Sequence, residues 1–148
     1  MMVNFEVVLL FTQVPVGEAL TIIQTKYKLP EHIVELTKHC FSNTYFTYEG
    51  QRYKQVQGAP MGSPLFPALA NLFVEDLEEK AIMTSTHKPK LWIRYADDTF
   101  VIWPHGETKL REFLEHLNNL HAAIKFTMQR EQQNQLPFLD VLSKKKQD

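Results

Sequence analysis

Two adjacent carboxylates, Asp97 and Asp98, are the residues of this sequence best suited to chemistry. They separate two apolar runs, residues 91–95 and 99–103, whose composition indicates buried strands, and this pattern predicts a β-hairpin with an acidic tip. Neighbouring negative charges repel each other, so water or cations must screen them. Aspartate is a favoured turn residue, and a simple solvated turn is therefore one interpretation. Apolar strands that hold the tip rigidly favour a divalent metal site instead.

A third carboxylate would complete a site for two magnesium ions, because these cations prefer oxygen ligands. Residues 5–11 form an apolar run, broken only by Glu6, and the run predicts a buried strand. If this strand pairs beside the hairpin, Glu6 is the one acidic candidate on it. We expect the carboxylates of Asp97 and Asp98 to lie within about 4 to 8 Å of Glu6 in such a site.

A glycine-containing loop that opens a helix is the second candidate site. Backbone amides in such a loop can approach an anion or a base pair closely, although an ordinary turn and helix cap is the alternative. No lysine follows Gly62, so this is not a Walker phosphate loop. Ser63 is better explained as a helix N-cap than as a nucleophile. The loop consists of Gln57, Gly58, Ala59, Pro60, Met61, Gly62 and Ser63.

The elements that must position these residues alternate between strand-like and helix-like spacing. This alternation predicts an α+β or mixed α/β fold in which an antiparallel sheet packs on helices. Glu49 and Gly50 lie in the middle of an alternating aromatic and polar stretch, which predicts a second hairpin. The predicted helices span residues 17–27, 30–40, 63–81 and 107–121, the second hairpin spans 45–55, a strand spans 124–128, and a short apolar segment spans 136–142.

The composition indicates a single globular domain. The chain has 148 residues, of which 44% are hydrophobic and 22% charged, with 16 basic and 17 acidic side chains. We assign residues 1–142 to one domain and residues 143–148 to a basic tail. The net charge of −1 provides no general attraction for nucleic acid, so any such role must rest on local residues.

Cysteine content and hydropathy restrict the location of the chain. Its one cysteine, Cys40, cannot form an intrachain disulfide, and this favours a reducing compartment, the cytoplasm or the nucleus. Cys40 lies on the apolar side of its predicted helix, so we expect it in the core. The longest uncharged run, residues 55–74, is interrupted by prolines and glycines, so no membrane helix is expected. The acidic run from Glu75 to Glu79 predicts a solvated helix face.

Taken in order, four segments of the sequence resemble the palm of reverse transcriptases, most closely those of Penelope-like retroelements. The segments are LFTQVP at residues 10–15, QGAPMGSP at 57–64 with ANLFVED at 70–76, RYADDTF at 94–100, and LPFLDV at 136–141. The turn motif alone is a modest signal, but the glycine loop upstream at the expected distance makes it strong. The resemblance covers nearly the whole chain.

The resemblance implies an RNA-directed DNA polymerase that adds deoxynucleoside triphosphates to a primer on an RNA or DNA template. It implies two Mg²⁺ ions, with Mn²⁺ as a substitute, held by Asp97, Asp98 and Glu6. The loop from Gln57 to Ser63 matches the segment that positions template and nucleotide. The other matches are Tyr95 to the aromatic residue beside the primer end, Phe11 to the bulky residue that disfavours a ribose 2′ hydroxyl, Lys125 to a lysine that assists pyrophosphate departure, and residues 136–141 to the primer grip.

The sequence departs from the family pattern on the first strand, where Glu6 replaces an aspartate. The extra methylene should displace the carboxylate by on the order of 1 Å, a shift that can cost roughly a hundredfold in rate. The fingers and thumb are expected to be largely absent from this chain. A non-catalytic palm that serves as a binding or assembly module is therefore the alternative function. A nucleotide cyclase is a weaker alternative, because the loop and turn lack a cyclase-like arrangement.

Overall fold

The computed structural model describes residues 1–56 and 62–146. These residues form strands and helices in a mixed order, with short connections between them. In chain order the elements are β1 (Met2–Val8), α1 (Leu10–Gln13), α2 (Val16–Thr25), α3 (Glu31–Ser42), β2 (Tyr45–Tyr48), β3 (Gln51–Lys54), α4 (Phe66–Thr84), β4 (Leu91–Tyr95), β5 (Asp98–Ile102), α5 (Gly106–Leu120), β6 (Lys125–Arg130), β7 (Gln135–Phe138) and β8 (Val141–Lys144).

The chain divides into two compact units. The first unit combines Met1–Val8 with the chain from Glu78 onward, and the second unit is Leu9–Leu77. The sheet and the predicted carboxylates all belong to the first unit. The predicted α+β class with an antiparallel sheet is confirmed. No helix in the described part of the chain is both long enough and apolar enough to cross a bilayer.

The first unit is built on a four-stranded antiparallel sheet with the order β4-β5-β1-β6. Strand β1 therefore lies between β5 and β6, next to the predicted hairpin. Because side chains alternate along a strand, Val3, Phe5 and Val7 all point to one face, where each is at most 1% exposed. This burial on one face leaves the side chains of Asn4 and Glu6 on the other.

Helix α5 covers the buried face of the sheet through a predicted apolar stripe. Leu110, Phe113 and Leu117 are its buried residues, as the helical spacing indicates. The Phe113 ring lies 6.1 Å from the Phe5 ring and 5.1 Å from the Trp103 ring, measured between centroids. This aromatic cluster anchors β1 and the end of β5 in one core, and so fixes the strands that carry the carboxylates.

The β7–β8 hairpin contributes to the other face of the sheet. Leu136 is fully buried, and the Phe138 ring makes an edge-on contact with Phe100 of β5 at 5.4 Å. The apolar segment predicted at 136–142 is therefore a hairpin rather than one extended piece. The predicted domain boundary at residue 142 falls inside β8, and beyond it Lys145 forms an ion pair with Glu131.

Two strand predictions need correction. A buried strand was expected over residues 5–11, but β1 begins at Met2 and ends at Val8 because Leu9 adopts a left-handed conformation with φ 51°. The run preceding the acidic turn was expected to be buried. Strand β4 is instead an edge strand, and its Ile93 and Tyr95 are 55% and 66% exposed.

The second unit contains α2, α3, the β2–β3 hairpin and the first part of α4. The helices and this hairpin are confirmed with small shifts of their ends. Cys40 was expected in the core, and this is wrong because α3 buries Val34 and Phe41 and leaves Cys40 exposed. Periodicity correctly predicted a helix, but the contacts of Phe41 with Phe66, at 6.4 Å, determine the buried face.

Helix α4 begins later than predicted. Ser63 was expected to be its N-cap, but the helix starts at Phe66, and the Ser63 carbonyl accepts a hydrogen bond from the Phe66 amide at 3.3 Å. The prediction of a fully solvated acidic run on this helix is also wrong, because Glu78 is only 6% exposed. Burying a carboxylate removes it from water at a cost in free energy, so a buried carboxylate generally has a partner.

Candidate active site at the acidic hairpin turn

The acidic turn connects β4 to β5 through two residues, Ala96 and Asp97. Tyr95 and Asp98 are paired residues on either side, so Asp98 is the first residue of β5 rather than part of the turn. Ala96 has φ 53°, as the first position of a tight two-residue hairpin requires. The turn therefore places the two aspartates in different environments, one in the turn and one in the sheet.

Glu6 lies directly opposite Asp98 in the β1–β5 pair. The amide of Val7 also donates a hydrogen bond to the Asp97 carbonyl at 2.9 Å, which extends the contact of β1 to the turn. Directly opposed residues project from the same face of an antiparallel sheet, with Cβ atoms about 4.5 to 5.5 Å apart. The fold thus brings Glu6 and Asp98 side by side, with Asp97 in the adjoining turn.

Asn4 is a residue of this site that the sequence analysis missed. Its side-chain amide donates to Asp98 Oδ1 at 2.8 Å, and its Oδ1 accepts a hydrogen bond from the Thr99 amide at 3.2 Å. Asn4 is 9% exposed, and its bond to the Thr99 amide is buried, whereas its bond to Asp98 is partly buried. Asn4 therefore holds the Asp98 carboxylate against β1. Its place on the same face of β1 as Glu6, two residues away, was the available signal.

Arg94 supports the turn from the other side of the sheet. Its Nε donates to Glu78 Oε2 at 3.0 Å, and its Nη1 donates to the Ala96 carbonyl at 3.1 Å. The side chains of Arg94 and Glu78 are 13% and 9% exposed, so the pair is well shielded from water. The buried acid of α4 thus orients an arginine that holds the turn bearing Asp97.

The exposure of the three acids leaves them accessible to a ligand. Glu6 is exposed, and Asp97 and Asp98 are half-buried. Among the described residues, no group of three or more histidine, cysteine, aspartate or glutamate side chains is arranged to hold a metal ion. Magnesium in polymerase-type sites is commonly held by one or two carboxylates together with substrate phosphates. The donor chemistry of Glu6, Asp97 and Asp98 fits that cation.

Tyr95 lies on the same sheet face as Glu6, whereas the Lys125 side chain reaches α5, which covers the opposite face. Tyr95 is opposite Asp98, and Lys125 is opposite Val8. The Lys125 ammonium donates to the carbonyls of Asn118 at 2.6 Å and His121 at 3.2 Å. Lys125 therefore stabilises the carboxyl end of α5, where a positive charge is favourable.

The remaining predicted site residues that the structure describes, Phe11, Gly62 and Ser63, belong to the second unit. Phe11 lies in α1, and Gly62 has φ 93°, a conformation that glycine adopts without strain. Ser63 precedes α4 and is half-buried. The segment from Gln57 to Met61, which includes Gly58, Ala59 and Pro60, lies outside the described residues.

Comparison with known proteins agrees with this architecture. A search of curated proteins finds no match. Among solved structures, the chain is similar to apo telomerase from Candida tropicalis, truncated from its C-terminal domain, with a TM-score of 0.63 and 16% identity. That similarity covers 95% of this chain and 33% of the telomerase chain, so this chain spans about a third of that structure.

A family model provides the assignment. The model described as reverse transcriptase (RNA-dependent DNA polymerase) matches residues 1–136. The match includes every strand of the four-stranded sheet and both sides of the acidic turn. This chain therefore belongs to the reverse transcriptase (RNA-dependent DNA polymerase) family.

Proposed function

We propose that this chain is the palm of an RNA-directed DNA polymerase from a retroelement of the Penelope-like type. Its reaction is nucleotidyl transfer from a deoxynucleoside triphosphate to a primer 3′ hydroxyl on an RNA or DNA template. The observation that carries the proposal is the pairing of Glu6 with Asp98, with Asp97 in the adjoining turn. Acids in this arrangement have the ligand chemistry that phosphoryl transfer uses.

Glu6, Asp97 and Asp98 are the residues that would hold two magnesium ions, with manganese as a substitute. When bound, the ions supply the positive charge that activates the primer hydroxyl and stabilises the leaving pyrophosphate. Asn4 fixes the orientation of the Asp98 carboxylate through its hydrogen bond. Arg94 fixes the turn that carries Asp97 through the Ala96 carbonyl. Such support matters because catalytic groups must be held to within a fraction of an ångström.

Further contacts with substrate are assigned from the sequence motifs. Tyr95 would contact the primer end, and its 66% exposure leaves it accessible. Phe11 would exclude the ribose 2′ hydroxyl, and the loop from Gln57 to Ser63 would position template and nucleotide. Lys125 would reach the triphosphate only by exchanging its two bonds with α5 carbonyls for phosphate oxygens.

Primer extension tests this proposal. The full chain is incubated with an RNA template, an annealed DNA primer, deoxynucleoside triphosphates and either Mg²⁺ or Mn²⁺. We expect metal-dependent extension that Asp97→Asn abolishes and that the control Glu115→Gln retains, because Glu115 is an exposed acid on α5, a helix that carries none of the proposed site residues. Extension that persists in Asp97→Asn, or that needs no divalent metal, would contradict the site assignment.

A catalytically impaired palm that acts as a binding or assembly module is the second candidate. The observation that favours it is the glutamate at position 6, where the family pattern has an aspartate. This candidate predicts no extension by the wild-type chain or by Glu6→Asp, with binding to a primer–template duplex retained. Extension by the wild-type chain that disappears in Asp97→Asn excludes it.

A further inference from the structure

The β2–β3 hairpin of the second unit presents an exposed aromatic surface. All eight residues of the two strands are exposed. Four of them are aromatic: Tyr45, Phe46, Tyr48 and Tyr53 are 59%, 52%, 61% and 41% exposed. A contiguous apolar surface of this kind generally marks a site of interaction.

The pairing register separates the two faces of this hairpin. Phe46 is opposite Tyr53, and Tyr48 is opposite Gln51, so these residues share one face. The Phe46 and Tyr53 rings are stacked, with centroids 5.5 Å apart and planes inclined by 18°. The stack holds both rings in one orientation and forms a flat platform at the surface.

Positive charge accompanies the aromatic platform. Arg52 and Lys54 flank Tyr53 along β3 and therefore point to the opposite face of the hairpin. Neither strand contains an acidic residue, and the acid of the connecting turn is Glu49. Within the part of the chain that the structure describes, neither cation forms an ion pair. Their long side chains can reach round the edge of a two-stranded hairpin, with the charged ends in water. Aromatic residues and arginine also occur at protein interfaces, so the argument for a polyanion rests on the two cations and on the absence of acids from both strands.

We propose that the β2–β3 hairpin binds single-stranded nucleic acid, with bases stacked on the Phe46–Tyr53 platform and phosphates held by Arg52 and Lys54. Aromatic stacking beside a cationic edge is the common mode of single-strand binding without sequence preference. The hairpin ends three residues before Gln57, the start of the loop assigned to the template. The inference rests on the proposed function in one respect: the strand bound is the unpaired template.

Fluorescence anisotropy of the full chain with a labelled single-stranded RNA of about 12 nucleotides tests the proposal. Phe46→Leu and Tyr53→Leu keep an apolar side chain but remove the ring, and each should weaken binding roughly five- to 150-fold, as for loss of one stacked base. The double variant Arg52→Ala/Lys54→Ala removes two phosphate contacts. The slope of the logarithm of the binding constant against the logarithm of the salt concentration should therefore become less steep by about 1.4, because each contact to a single strand contributes about 0.7. Leu36→Ala and Lys38→Ala, on the exposed side of α3, are the controls and should bind as the wild type does.

Three outcomes would overturn the proposal. The first is no binding of the RNA by the full chain, and the second is equal binding by the platform variants and the wild type. The third is self-association of the chain that the platform variants abolish, because this result would assign the hairpin to a protein interface. The Asp97→Asn variant separates this proposal from the proposed function. It should lose primer extension while its affinity for the single-stranded RNA stays unchanged.

Discussion

Glu6 and Asp98 face each other across the antiparallel β1–β5 pair, although they are 92 positions apart in the sequence. This pairing depends on the order of the sheet, which inserts β1 beside the hairpin. A shift of one residue in the register would move Glu6 to the opposite face, away from Asp98. The buried Val3, Phe5 and Val7 prevent that shift, because they would then be exposed to water.

Shortening the carboxylate at position 6 should improve catalysis. Glu6→Asp removes one methylene and changes the reach of the carboxylate by on the order of 1 Å, so we expect primer extension to accelerate by up to about a hundredfold. The rate constant for single-nucleotide addition measures the effect. Glu115→Asp is the matched control and should leave the rate unchanged. An equal or lower rate for Glu6→Asp would show that the site is adapted to glutamate.

Removing the Asn4 side chain should destabilise the fold and release Asp98. Asn4→Ala leaves the buried Thr99 amide without its acceptor, and we expect a loss of about 1 to 3 kcal/mol in the free energy of unfolding. Urea denaturation measures this loss. Asn119→Ala, at an exposed position on α5, should change stability by less than about 0.5 kcal/mol. Equal stability of the two variants would refute the bridging role of Asn4.

Truncating the buried Arg94–Glu78 pair should cost far more stability than truncating a surface pair. Arg94→Ala leaves the Glu78 carboxylate buried without this cation, and losses of about 3 to 5 kcal/mol are typical of such truncations. Arg111→Ala removes an exposed pair with Glu107 on α5, with side chains 65% and 45% exposed, and should cost about 0 to 1 kcal/mol. Similar losses for the two variants, measured by urea denaturation, would contradict this account.

Glu131 should make stability depend on acid pH. Burial raises the pKa of Glu131. Hydrogen bonds from Lys145 and from the Met2 amide, together with the charge of Lys145, lower it by more than burial raises it, so the pKa lies below its ordinary value of 4.5. The unfolded chain then binds the proton more readily than the folded chain. The stabilisation is therefore present above about pH 4.5 and is lost as the pH falls through the lower pKa of the folded state.

The variant Glu131→Gln isolates this contribution. Free energies of unfolding from neutral pH to about pH 3 should fall less steeply for Glu131→Gln than for the wild type. Glu115→Gln should follow the wild-type curve, since Glu115 is exposed. Parallel curves for Glu131→Gln and the wild type would exclude Glu131 as a source of the acid sensitivity.

Much of the fold could be predicted because the relevant signals are local. The stripe of Leu110, Phe113 and Leu117 defines α5, and the Glu49–Gly50 turn defines the β2–β3 hairpin. Both depend on periodicity and turn chemistry within one element. The acidic turn was predicted for the same reason, with an error of one residue at the start of β5.

The errors arose where contacts distant in sequence decide the outcome. The helical spacing of α3 indicated an apolar face, but Phe41 rather than Cys40 is buried, through its contact with Phe66. Glu78 lies in an acidic run that suggested a solvated face, and its burial depends on Arg94. Asn4 shares a face of β1 with Glu6, but only the register between β1 and β5 brings its side chain beside Asp98.

Binding of a divalent metal at the acidic turn is the central requirement of the proposed reaction, and Mn²⁺ titration tests it most directly. In amide NMR spectra of the full chain, paramagnetic Mn²⁺ should first broaden the signals of Glu6, Val7, Asp97 and Asp98, and a combined Asp97→Asn and Asp98→Asn variant should lose this selective broadening. The account would be contradicted if broadening were uniform, if it centred on the acids of α4 or α5, or if it persisted in the double variant.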